Sequence, residues 1–134
     1  MDLRHSLGLL VLRVTVSAVM IIAHGIPKLM NPAPFINHVG NLGVPLPLVS
    51  GYFAIAAETI FPLLIIMGIF TRISALIAAG NMFVAAFVIH LAIQGDPFSK
   101  FELATLYMLV FGALAITGPG GFSVTSLFKA KETS

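Results

Sequence analysis

The sequence predicts an all-α integral membrane protein: a four-helix bundle with a short interfacial helix between spans one and two. Three observations carry this. Hydrophobic residues make up 58% of the 134-residue chain and charged residues only 9%, where a soluble domain has about 45–50% and 25%. Mean hydropathy is +1.05, more apolar surface than so few charges can cover in water. The apolar residues also fall into four runs, separated by proline, glycine and polar residues.

The first span is expected over residues 7–26, interrupted only by Arg13 and His24. Its apolar length exceeds the ~7–15 residues of a signal-peptide core, and it lacks a clear small-residue cleavage site, so it reads as a retained helix. Asn31 as N-cap and Pro32 at the first helical position begin the short interfacial helix, and Gly40 closes it. Phe35, Ile36 and Val39 form its apolar side. The second span covers residues 48–70, with Glu58 near its middle and a kink expected at Pro62. Thr71-Arg72 makes a very short turn into the third span, residues 73–93, whose alanines and glycines permit close packing in lipid. The fourth span covers residues 102–117 and stops at Gly118-Pro119-Gly120-Gly121. The whole chain reads as one domain.

Arg4, Arg72, Lys129 and Lys131 fall on one side of this topology and Lys28 and Lys100 on the other. The positive-inside rule then places both termini in the cytoplasm. A formal charge of +2, with no basic cluster, argues against a nucleic-acid partner. Zero cysteines exclude a disulfide, a thiol relay or a cysteine-held iron–sulfur cluster.

Polar residues inside the spans need a reason, because a charge in hydrocarbon costs at least ~2.5–3.5 kcal/mol. Arg13 and Glu58 are expected to form an intramembrane charge pair; the alternatives are a Glu58 that faces a polar cavity or is protonated and hydrogen-bonded within the bundle, and an Arg13 that snorkels to the cytoplasmic interface. Arg13, Ser17, His24 and Lys28 are spaced by 4, 7 and 4, which puts them on one stripe of the first helix. That stripe should face the bundle. By depth, His24, Lys28, His90, Glu102 and Tyr107 all belong near the outer end. A carboxylate beside histidine is the usual make-up of a proton-transfer site, and helix-end capping is the plainer role for each residue singly. Two histidines on different spans raise haem, and with Glu102 a metal, but no haem, flavin or metal motif supports either.

The motifs together resemble the DoxX family of small four-helix bacterial membrane proteins. His24-Gly25-Ile26-Pro27-Lys28 resembles its HGxxK signature, and Gly43-Val44-Pro45-Leu46-Pro47 its GxP loop. Glu58 matches its second-helix glutamate, Gly68-Ile69-Phe70-Thr71-Arg72 its GxxTR turn, and His90 its third-helix histidine. Glu102 to Tyr107 resembles the start of its fourth helix, and Gly118-Pro119-Gly120 its closing motif. Thr125 stands where the family often has aspartate. The resemblance implies a bacterial inner-membrane protein, similar to a subunit of thiosulfate:quinone oxidoreductase.

Three functions follow as expectations. The first is a subunit of a quinone-linked oxidoreductase, with His24, Glu102 and His90 as proton carriers and Lys28 and Tyr107 holding the quinone. The second is a non-catalytic scaffold or assembly module that recruits a peripheral redox enzyme. The third is a small proton-coupled transporter, with Arg13 and Glu58 lining a path and a homo-oligomer supplying further spans.

Overall fold

The computed structural model describes residues 2–133, and among these the secondary structure is helical with no strand. Helix α1 runs Leu3–Met30, about 42 Å at 1.5 Å per residue. It extends past the expected bounds at both ends. Asp2 caps its start by accepting from the Arg4 backbone N–H at 3.5 Å. Pro27 does not end it, because residues Ile21–Gly25 form a π turn in which the Ile26 N–H bonds to the Ile21 carbonyl. The wider turn takes up the proline ring and its missing donor.

Helix α2, Ala33–Asn41, is the expected interfacial helix with different caps. Asn31 terminates α1 rather than starting α2, and Pro32 occupies the N-cap. Gly40 remains helical, and the left-handed residue is Gly43 at φ +83°. The reason is local: Leu42 still closes a helical bond to His38, so the chain reverses only at the next glycine.

Helix α3 spans Pro47–Met67 and is broken at Thr59, whose φ/ψ is −127°/−70°. Pro62 causes the break. It offers no N–H to the Glu58 carbonyl four residues back, and its ring would strike that carbonyl. Helix α3 then stops at Gly68, which is left-handed and donates to the Leu64 and Ile65 carbonyls, three residues before the expected end. Helix α4 follows as Thr71–Ile93, with a π-helical half from Val84. Helix α5, Glu102–Thr117, has its expected bounds. A further helix, α6, Val124–Thr133, occupies the tail, where no element was expected.

The core joins Met20 of α1, Ile65 of α3, Ala75, Ala78, Ala79 and Met82 of α4, and Tyr107, Phe111 and Leu114 of α5. The most extensive packing is between α4 and α5, because α4 presents alanines that let the backbones approach. Ile22, Ile60, Leu76, Leu109 and Ile116 point outward and are exposed. Helices α1, α3 and α4 are long and apolar enough to cross a membrane, and α5 is apolar but shorter. Lipid satisfies this outward apolar surface, where water would not. The chain is therefore a multi-pass membrane protein.

Candidate functional site

The site is built from a backbone contact. The α3 break frees the Glu58 carbonyl, and Gly25 lies against it. A Cβ on Gly25 would sit 2.2 Å from the Glu58 oxygen and 2.7 Å from Thr59 Cγ2. Only glycine allows α1 and α3 to touch there, and His24 and Lys28 flank that point on α1. Gly25→Ala is accordingly expected to force the helices apart and destabilise the fold by about 3 kcal/mol, read as a lower unfolding midpoint in detergent. A midpoint equal to wild type would deny the contact.

Lys28 reaches across this contact to Glu58. Its Nζ donates to Oε2 at 2.8 Å and Oε1 at 3.0 Å. Glu58 is 4% exposed, and Lys28 is half-buried. The Lys28 ammonium also sits 4.4 Å above the centre of the Phe35 ring, so α2 closes one side of the pair. One turn before Lys28, His24 meets Tyr107 of α5 edge-to-face, with ring centres 5.7 Å apart. Tyr107 is buried and stacks on Phe111 at 6.2 Å. His24, Lys28, Glu58 and Tyr107 thus converge from three helices.

Beside them runs an apolar groove of about 260 Å³ between α1 and α5, lined by Thr15, Val16, Val19, Leu103, Leu106, Tyr107 and Val110. Tyr107 belongs to both the groove wall and the polar cluster.

Arg13 does not pair with Glu58, and the expected charge pair is corrected. Arg13 is 1% exposed. Its Nε donates to the Ile65 carbonyl at 2.8 Å, and Nη2 donates to Phe122 at 2.8 Å and Ile66 at 3.3 Å. Nη1 donates to the Pro119 carbonyl. The physical reason is geometric: α3 ends beside Arg13, where the Ile65 carbonyl accepts from Gly68 as well and the Ile66 carbonyl is past the last helical donors, while Glu58 lies more than two turns back from that end and is satisfied by Lys28. Ser17 of the same stripe is fully buried, as a bundle-facing stripe requires. The same corner is closed by Thr125, whose hydroxyl donates to the Gly68 carbonyl at 2.5 Å. Threonine there serves as a donor to a glycine turn.

His90 and Glu102 lie apart from this group. His90 Nδ1 is 2.8 Å from Asp96 Oδ2, and its ring stacks on Phe101 with centres 6.3 Å apart. Glu102 is exposed at the start of α5 and, among the described residues, has no side-chain partner. The expected five-residue cluster is therefore His24, Lys28 and Tyr107, joined by Glu58. Among the described residues no group of three or more His, Cys, Asp or Glu side chains is placed to hold a metal. Asp96 and Phe35 were not singled out from the sequence as partners. Asp96 carried a signal as the polar residue one helical turn and a half beyond His90, but Phe35 read only as apolar.

The family model for DoxX matches residues 8–91, from the first turns of α1 to the end of α4. The chain belongs to the DoxX family. This match contains Arg13, His24, Lys28, Glu58 and His90, while Glu102 and Tyr107 lie beyond it. The chain is similar to a Haemophilus influenzae protein described as uncharacterized, at 34% identity over 90% of each chain. It is also similar to the Escherichia coli inner membrane protein YphA, at 29% identity over 87% of this chain and 86% of that one. No solved structure matches the chain.

Proposed function

We propose that this DoxX protein is a four-span inner-membrane subunit of a quinone-linked redox system, with both termini cytoplasmic. A quinone, or a similar lipophilic redox molecule, would lie in the α1–α5 groove with its headgroup at His24, Lys28 and Tyr107. The observation that carries this reading is the groove itself: an apolar surface groove whose wall includes Tyr107, the ring that meets His24 edge-to-face. An isoprenoid tail suits the valine and leucine lining, and a ring oxygen suits the imidazole and phenol. His24 handles the proton, and Lys28, held by Glu58, places a cation near the reduced oxygen. Glu102, first expected as a proton carrier, takes no part in this reading, and the buried carboxylate at the site, Glu58, serves to hold Lys28. Electrons would come from a partner protein or a soluble donor, since the chain has no cysteine to hold a cluster.

Helix α5 counts as the fourth span in this reading. At about 24 Å it is shorter than the ~30 Å hydrocarbon layer, and the preceding turn Phe98–Lys100 and local thinning of the bilayer make up the difference. The name of the Escherichia coli relative supports an inner-membrane location. Four of the seven lysines and arginines cluster at the end that holds both termini, which supports the orientation.

Purified protein titrated with a short-chain quinone tests the reading. Wild type is expected to bind, and His24→Ala to bind about tenfold more weakly. Equal affinity removes His24 from the site. A scaffold role is the second reading, favoured by Leu127 and Phe128, both exposed on α6. It gains if the protein carries no quinone but captures one stoichiometric redox enzyme. The transporter reading has less support, because Arg13 and Glu58 have separate partners.

A further inference from the structure

The outer face of α1 carries a second groove. Arg4, Leu7, Gly8, Val11, Leu12 and Thr15 line a trough of about 560 Å³. Gly8 makes the notch, since a Cβ there would meet nothing within 4 Å. Thr15 turns its hydroxyl back onto the Val11 carbonyl at 2.6 Å, so the floor is apolar in effect. Arg4 stands at the mouth. Among the described residues its guanidinium has no partner, because Asp2 accepts from the Arg4 backbone N–H and pairs with His5 instead.

Length identifies the occupant. From Arg4 to Thr15 the helix rises about 16 Å, close to half of the ~30 Å hydrocarbon layer. The trough therefore runs from headgroup depth to the bilayer centre, the reach of one acyl chain. We propose that this face of α1 binds an anionic phospholipid, with its phosphate on Arg4 and one acyl chain along Leu7, Gly8, Val11 and Thr15. Arg72, Lys129 and Lys131 lie at the same end of the bundle and favour an anionic leaflet around the site. Charge also argues against a second copy of this chain. Two-fold packing of the face in one membrane would set one Arg4 beside the other. Thr15 borders both grooves, so a phospholipid chain here ends where the α1–α5 groove begins.

Native mass spectrometry of the full-length protein in detergent tests this, with dioleoylphosphatidylglycerol and dioleoylphosphatidylcholine in equal amounts. One phosphatidylglycerol per chain is expected to survive, preferred about fivefold. Arg4→Gln should abolish the preference, and Gly8→Leu should displace both lipids. Both changes are on an exposed face and leave the core intact. Equal retention of the two lipids by wild type overturns the proposal. So does a preference that persists in Arg4→Gln, or one lost only in Lys129→Gln/Lys131→Gln. A lipid-free dimer would mark the face as a self-interface and overturn it as well.

Discussion

Arg13→Met is expected to lower folding stability by about 3–5 kcal/mol. The guanidinium is 1% exposed, and its four hydrogen bonds run to the carbonyls of Ile65, Ile66, Pro119 and Phe122. Two of those carbonyls belong to the last turn of α3, where the chain reverses at Gly68 and the helical donors run out. The other two belong to the loop between α5 and α6. One residue therefore closes a helix end and fastens a loop more than 100 positions away in sequence. Methionine fills the volume but donates nothing: Ile65 keeps the Gly68 N–H, while the part-buried carbonyls of Ile66, Pro119 and Phe122 lose their donor, each toward the low end of about 1–3 kcal/mol. At a few degrees per kcal/mol for a chain of this size, the unfolding midpoint in detergent should fall by about 10 °C or more. Arg13→Lys should rescue less than half of that, because an ammonium is a point of donors and cannot fork between helix end and loop. A methionine variant that melts within about 2 °C of wild type would show that the carbonyls are satisfied without Arg13.

The helices were legible because their signals are local. Apolar run length marks a span, Gly118-Pro119 stops α5, and the spacing of Arg13, Ser17, His24 and Lys28 shows which side of α1 turns inward. The partners of the charges were not legible. Glu58 is 45 residues from Arg13 and 30 from Lys28, and composition cannot choose between two cations. That choice is made by Pro62 and Gly25: the proline breaks α3 and frees a carbonyl, and the glycine lets α1 reach it at the height of Lys28. The α6 helix escaped notice for a different reason. Its start is set by the Ser123 hydroxyl, which accepts from the Ser126 N–H at 3.1 Å, and a serine in a glycine-rich loop reads equally well as turn. His90 and Glu102 show the limit of sorting by depth. Residues at one level of a bundle share a plane, but the azimuth of each helix decides which of them meet.

Lys28→Met carries the second large expectation, and it separates fastening from binding. Removing the ammonium strands the Glu58 carboxylate, whose side chain is 5% exposed, and breaking a buried pair from one side costs about 3–5 kcal/mol. Glu58→Met should cost less, because the Lys28 side chain is 26% exposed and can swing its ammonium toward the headgroups. The double variant should recover most of the loss, since two apolar side chains replace a pair that was costly to desolvate in the first place. A coupling of about 2 kcal/mol between the two positions follows, measurable from the four unfolding midpoints. Coupling near zero would mean that the carboxylate finds another donor when Lys28 is gone. The double variant is then the decisive protein for function. It keeps the fold and the Gly25 contact but lacks the cation beside His24, so quinone affinity should remain about tenfold below wild type after stability has returned. Affinity that returns together with stability would make the ion pair a fastener between α1 and α3 and leave His24 and Tyr107 to hold the ligand alone.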